Sequence, residues 1–123
     1  MRVKKRQDMV RRTKQFALLI VRLYSNLPKS TVAQVLGRQV LRSGTSVGAH
    51  YREACRAKSN ADFISKMEGA LQELDETAYW LELLLESETI KAAQAQVLIA
   101  EGNELISIFV SVVRSVKSSA HVK

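Results

Sequence analysis

The chain has 123 residues, a length that fits one domain with one core. Cys55 is its only cysteine, which excludes an intrachain disulfide and a cysteine-based metal cluster, and no apolar run approaches the roughly 20 residues that span a bilayer. The formal net charge of +7 is unevenly placed: residues 1–58 hold 14 Lys/Arg and 2 Asp/Glu, whereas residues 59–123 hold 5 and 10.

The first 14 residues, MRVKKRQDMVRRTK, carry seven Lys/Arg and one Asp. The expectation is a basic tail over residues 1–8, free to fray, leading into the first helix. No signal-type apolar stretch with a small-residue cleavage site follows it, so a cytoplasmic protein is expected. Met9, Phe16, Ile20, Leu23 and Leu27, at helical spacings, form a core stripe that Ala17, Val21 and Tyr24 widen. Asn26 to Ser30, with the lone proline Pro28, ends that helix, and Ser30 or Thr31 can cap the next.

In the second helix, Val32, Leu36, Val40 and Val47 carry a period near 3.6 into an unusual stretch, RSGTSVGAHYREA, residues 42–54. Gly44 and Gly48 lie one turn apart there. Glycine inside a helix costs up to about 1 kcal/mol relative to alanine, so another helix is expected close against both. Arg56 to Asn60 is polar, and Ser59 with Asp62 makes a capping-box-like start to the third helix. Its stripe is Phe63, Met67, Ala70, Leu74, Ala78, Leu81 and Leu85. Ser87 to Thr89 breaks the pattern and offers another cap. In the fourth helix Leu98, Gly102, Leu105, Phe109, Val112 and Val116 form a heptad-like seam, and Ile106, Ile108, Val110 and Val113 add a second apolar side. That width predicts a subunit interface.

Strand patterns are absent, so the expected fold is all-α: a single four-helix domain over residues 1–123, arranged as an antiparallel up-down-up-down bundle. In a hairpin turning near residues 56–60, each position on the second helix faces roughly position 119 minus its own number. Glu53 then faces Lys66, Ser46 faces Glu73, Arg42 faces Glu76 or Thr77, and His50 faces Gly69 or Ala70. Arg42, Ser46, His50, Glu53, Lys66, Glu73 and Glu76 are read as one polar network that fixes the register between the two helices.

A catalytic role for these groups lacks its parts. Glu73-x-x-Glu76 and Glu101-x-x-Glu104 have the look of a carboxylate metal site, but neither His50 nor His121 follows a Glu by three residues, as di-iron bundles require. Ser46 and His50 have no third group to orient the imidazole. No catalytic residue, no metal ligand and no cofactor is therefore assigned, and the chain is expected not to be an enzyme. Cys55 is read as a small packing residue.

The charge division has two functional readings. Arg2, Lys4, Lys5, Arg6, Arg11, Arg12 and Lys14 can grip an RNA or DNA backbone through counterion release, with little sequence preference because aromatics are scarce. Alternatively, a basic and an acidic surface can meet between copies in an oligomeric scaffold that serves a protein partner. A membrane-surface role is not expected, since the first helix's apolar stripe is used in the bundle.

Residues 41–84 carry a family resemblance: the Arg-Ser-x-x-Ser-Val-x-Ala run, Glu53-Ala54, Ser59-x-x-Asp62-Phe63-Ile64-x-Lys66, and Glu73-x-x-Glu76-Thr77-x-Tyr79-Trp80-Leu81. The segment resembles the bacterial four-helix-bundle family encoded in intervening sequences of large-subunit ribosomal RNA genes, whose members have been labelled as a small-subunit ribosomal protein. It departs from that family in having His50 where Asn is usual. The resemblance implies an antiparallel bundle without enzymatic activity that assembles as a homo-oligomer, often a pentameric ring. The accessory proteins of diversity-generating retroelements are more distantly similar. By that analogy the partners would be nucleic acid and a reverse transcriptase, although one fold hosts many functions.

Overall fold

The computed structural model describes the backbone of residues 3–122 and the side chains of residues 4–119. Four helices follow in order: α1 (Val3–Ser25), α2 (Thr31–Cys55), α3 (Asn60–Glu86) and α4 (Ala92–Val122). Close backbone approaches link α1 with α2, α2 with α3, α3 with α4 and, least extensively, α1 with α4. The helices thus sit as the corners of a square with sequence neighbours on its sides, as short connections demand of an up-down bundle.

Local chemistry sets each connection. At the end of α1 the Asn26 amide side chain donates to the Arg22 carbonyl (2.9 Å), and Ser30 Oγ accepts from the Ala33 amide at the start of α2 (3.2 Å). Ser59 caps α3 by accepting from the Asp62 amide (3.0 Å), while the Asp62 carboxylate accepts from the Lys58 amide (3.3 Å). Asp thus takes the reciprocal role at this cap, although its shorter side chain reaches the amide before the N-cap rather than that of the N-cap itself. The third connection differs from expectation. Ser87 is the C-cap of α3, Glu88 takes a left-handed φ of 60°, and the Thr89 amide donates back to the Leu84 carbonyl (2.9 Å). It is Gln94 that secures the start of α4, accepting from the Lys91 amide through Oε1 (3.0 Å).

The core draws on all four helices: Phe16, Ile20 and Leu23 of α1, Val40, Val47 and Tyr51 of α2, Met67, Leu74, Leu81 and Leu84 of α3, and Leu98, Leu105 and Phe109 of α4. Tyr51 stacks on Phe109 across the diagonal, with centroids 5.4 Å apart and planes 13° from parallel. Burial pushes the Tyr51 phenol above its ordinary pKa. The expected stripes shift by a residue in places. Val32 is 53% exposed, and Ala33 and Gly37 take the buried positions instead. On α4, Val113 rather than Val112 is fully buried.

The reason for the shift on α2 is close helix packing. A Cβ placed on Gly37 would stand 2.5 Å from Leu27 Cδ1, one on Gly44 2.7 Å from Ile20 Cγ1, and one on Gly48 3.2 Å from Thr13 Oγ1. Gly44 and Gly48 therefore lie against another helix, as their spacing predicts, and that helix is α1. Gly37 belongs to the same contact.

Candidate functional site

The polar network between α2 and α3 follows the predicted register. Lys66 Nζ is 3.3 Å from Glu53 Oε2, and Arg42 donates through Nη2 to Glu76 Oε1 at 2.7 Å and through Nη1 to Glu73 Oε1 at 3.4 Å. The hydrogen bond to Glu76 leads the causes that hold the Arg42 guanidinium more firmly protonated than usual. Glu73 is nearly buried, and its other oxygen, Oε2, is 3.7 Å from His50 Nε2. His50 does face Gly69, where a Cβ would come within 3.0 Å of Nδ1. Ser46 departs from expectation: its hydroxyl donates to the Arg42 carbonyl one turn back (2.7 Å) rather than across to Glu73.

The buried polar link across this hairpin is one that sequence reading missed. Thr77 Oγ1 lies 2.8 Å from Ser43 Oγ and 2.7 Å from the Glu73 carbonyl, and Ser43 Oγ donates to the Gln39 carbonyl at 3.0 Å. Ser43 and Thr77 stand one position beside the Arg42–Glu76 pair, on the inward sides of their helices. A hydroxyl at each of two facing positions was the available signal.

The basic segment separates into engaged and free cations. Arg12 turns inward toward α4 and is held by two carboxylates. Its Nε and Nη2 donate to Glu101 Oε2 and Oε1 (2.8 and 2.9 Å), and Nη2 is also 2.8 Å from Glu104 Oε1. The bonds to Glu101, then those to Glu104, push its pKa further above the usual arginine value. Arg12, expected to bind nucleic acid, is thus a structural tie between α1 and α4. Arg11 donates to Asp8 on its own helix (2.9 Å) and stays exposed. Arg6 is half-buried, with an Nε that meets no acceptor, at the rim of a cleft of about 460 Å³ floored by Cys55, Phe63 and Val116.

Lys4, Lys5 and Lys14 are exposed and form no ion pair among the described residues, as does Arg22 further along α1. Residues 3–8 belong to α1, so these cations project from a regular helix. Lys4, Arg11 and Arg22 recur at seven and eleven and share one side of α1, with Lys14 flanking them. Arg2, also assigned to nucleic-acid binding, lies outside the described residues.

Among the described residues, no group of three His, Cys, Asp or Glu side chains is placed to hold a metal ion. Helix α4 is, by length and composition, long and apolar enough to cross a membrane. Its stripe from Ala95 to Val113 is nevertheless spent on the bundle core.

The sequence model of a family described as 23S rRNA-intervening sequence protein matches residues 5–111. A crystal structure of a protein of unknown function from the S23 ribosomal protein family of Bacteroides thetaiotaomicron superposes with a TM-score of 0.84 at 40% sequence identity. The alignment covers 89% of this chain and 98% of that one. Comparison with curated proteins gives no match.

Proposed function

The chain belongs to the 23S rRNA-intervening sequence protein family, and from that premise we propose that it is a non-enzymatic, homo-oligomeric bundle of the cytoplasm that binds the RNA or DNA backbone through α1. The observation that carries this reading is the row of exposed cations along one side of a regular helix: Lys4, Lys14 and Arg22, unpaired, joined by Arg11, with the unpaired Lys5 around the helix from them. Their charge is not consumed inside the fold, unlike that of Arg12. A helix edge lined this way neutralises phosphates and releases condensed counterions, whatever the base sequence. Assembly into a ring, a pentamer by family resemblance, would repeat the edge around the particle and multiply weak contacts.

The test is fluorescence anisotropy with mixed-sequence RNA and DNA across a salt series. Binding that weakens steeply and linearly on a log–log plot supports the reading, and undetectable binding at low salt removes it. Light scattering at moderate salt tests the oligomer separately.

A further inference from the structure

Two charged stripes on the outer surface answer one another. On α3, Glu68, Asp75, Glu82 and Glu86 are all exposed and recur at seven, seven and four residues, which places them on one face. Gln72 and Tyr79 fill the gaps, and Tyr79 is 54% exposed. On α2, Arg38 and Arg52 are exposed on one face, with Thr45 and Ala49 between them, and the exposed Arg56 follows at the C-cap. Arg38 and Arg52 on one stripe, like Glu68 and Glu82 on the other, stand fourteen residues apart, or about 21 Å of helix.

Neither stripe is satisfied within the chain. Among the described residues, Arg38, Arg52, Arg56, Asp75, Glu82 and Glu86 form no ion pair, and only Glu68 meets a cation, Lys117 at 3.3 Å. Arg52 with Arg56, and Glu82 with Glu86, are like charges four residues apart, an arrangement that works against an isolated helix. A surface of opposite charge and equal length relieves both repulsions. This chain carries that surface on the adjacent helix.

We propose that the outer faces of α2 and α3 are the two halves of a head-to-tail contact between copies of this chain. The basic stripe of one copy lies on the acidic stripe of the next, and Tyr79 packs near its centre. This rests on the homo-oligomeric part of the function proposed above. In a ring whose axis runs along the bundle, the neighbour's α3 is antiparallel to α2. A rotation about that axis keeps each residue at its own height, so the register is the one seen within the chain: Arg38 lies level with Glu82, Thr45 with Asp75 and Arg52 with Glu68, while Arg56 and Glu86 lie beyond the matched ends. The contact is heterologous, so it closes into a ring or propagates as a filament according to its rotation. It also gives the two sets of cations different roles. Those of α2 serve assembly, and those of α1 remain for nucleic acid.

The experiment is charge exchange in the full chain, read by light scattering at moderate salt, with circular dichroism confirming that each variant is folded. Glu68→Lys with Glu82→Lys, and Arg38→Glu with Arg52→Glu, are each expected to lose the oligomer. All four substitutions in one chain are expected to recover it. Oligomers that survive both double reversals overturn the proposed faces while leaving homo-oligomerisation standing. A wild-type chain that is monomeric overturns both. If the Arg38→Glu, Arg52→Glu chain stays assembled and instead loses RNA binding, the α2 stripe is a nucleic-acid surface and the proposal fails.

Discussion

Arg12 of α1 grips Glu101 of α4 with two parallel hydrogen bonds, Nε to Oε2 at 2.8 Å and Nη2 to Oε1 at 2.9 Å. This pair spans the least extensive helix contact in the bundle, where few backbone approaches hold α1 against α4. Both side chains are roughly three-quarters buried, at 27% and 23% exposure, so the pair is screened less than a surface ion pair. Arg12→Ala leaves Glu101 without its partner in a partly desolvated position. The expected loss is about 1–3 kcal/mol, between the exposed and fully buried cases. Urea unfolding measures it. Arg12→Lys should recover only part of the loss, because an ammonium cannot reproduce the forked geometry.

The Ser43–Thr77 contact gives a second prediction. Thr77→Val keeps the shape of the side chain and removes the hydroxyl that links α3 to Ser43. Ser43 retains the Gln39 carbonyl as acceptor, so no strongly polar group is stranded. The expected cost is about 1 kcal/mol. Adding Ser43→Ala should cost less than it does alone, since both partners are then apolar. A double-mutant cycle in chemical denaturation reads that coupling directly.

Glycine packing supplies a third. Helix propensity alone says that alanine at Gly44 or Gly48 stabilises α2 by up to about 1 kcal/mol. At Gly44 the new methyl would meet Ile20 at 2.7 Å, deep in the core, and overpacking of this kind costs about 1–3 kcal/mol. At Gly48 the nearest atom is Thr13 Oγ1 at 3.2 Å, which needs to move only a few tenths of an ångström. Gly44→Ala should therefore lower the thermal midpoint and Gly48→Ala should leave it nearly unchanged. Equal effects at the two sites would show that α1 does not lie as close to Gly44 as described.

The helices, their caps and the α2–α3 register were legible in the sequence because short-range rules govern them. Once the turn at residues 56–60 is fixed, rise per residue alone places Glu53 opposite Lys66, Arg42 opposite Glu76 and His50 opposite Gly69. Ser46 was misassigned because a serine inside a helix can satisfy its hydroxyl on its own backbone, as it does on the Arg42 carbonyl. The partner of Arg12 was not legible for a different reason. No turn joins α1 to α4, so nothing local sets their register, and a run of cations at one end of a chain gives no sign of which is claimed by a distant carboxylate. Val32 likewise has the spacing of a core residue; only the close approach of α1 at Gly37 shows why the buried stripe runs one position further on.

That division among the cations leads to the functional prediction. If α1 is the nucleic-acid edge, neutralising Lys4, Arg11, Lys14 and Arg22 to Gln should flatten the slope of log affinity against log salt. For each phosphate no longer neutralised, the change should be about 0.9 on duplex DNA and about 0.7 on a single strand. Arg12→Gln should leave the slope unchanged, because its guanidinium already serves Glu101 and Glu104. Net charge falls in both cases, so a simple dependence on total charge predicts an effect from Arg12 comparable to that of any one neighbour. Anisotropy titrations of the two variants at matched salt distinguish the outcomes. Equal slopes per charge removed would mean that the helix edge has no special part, and that attraction is spread over the whole basic half of the chain.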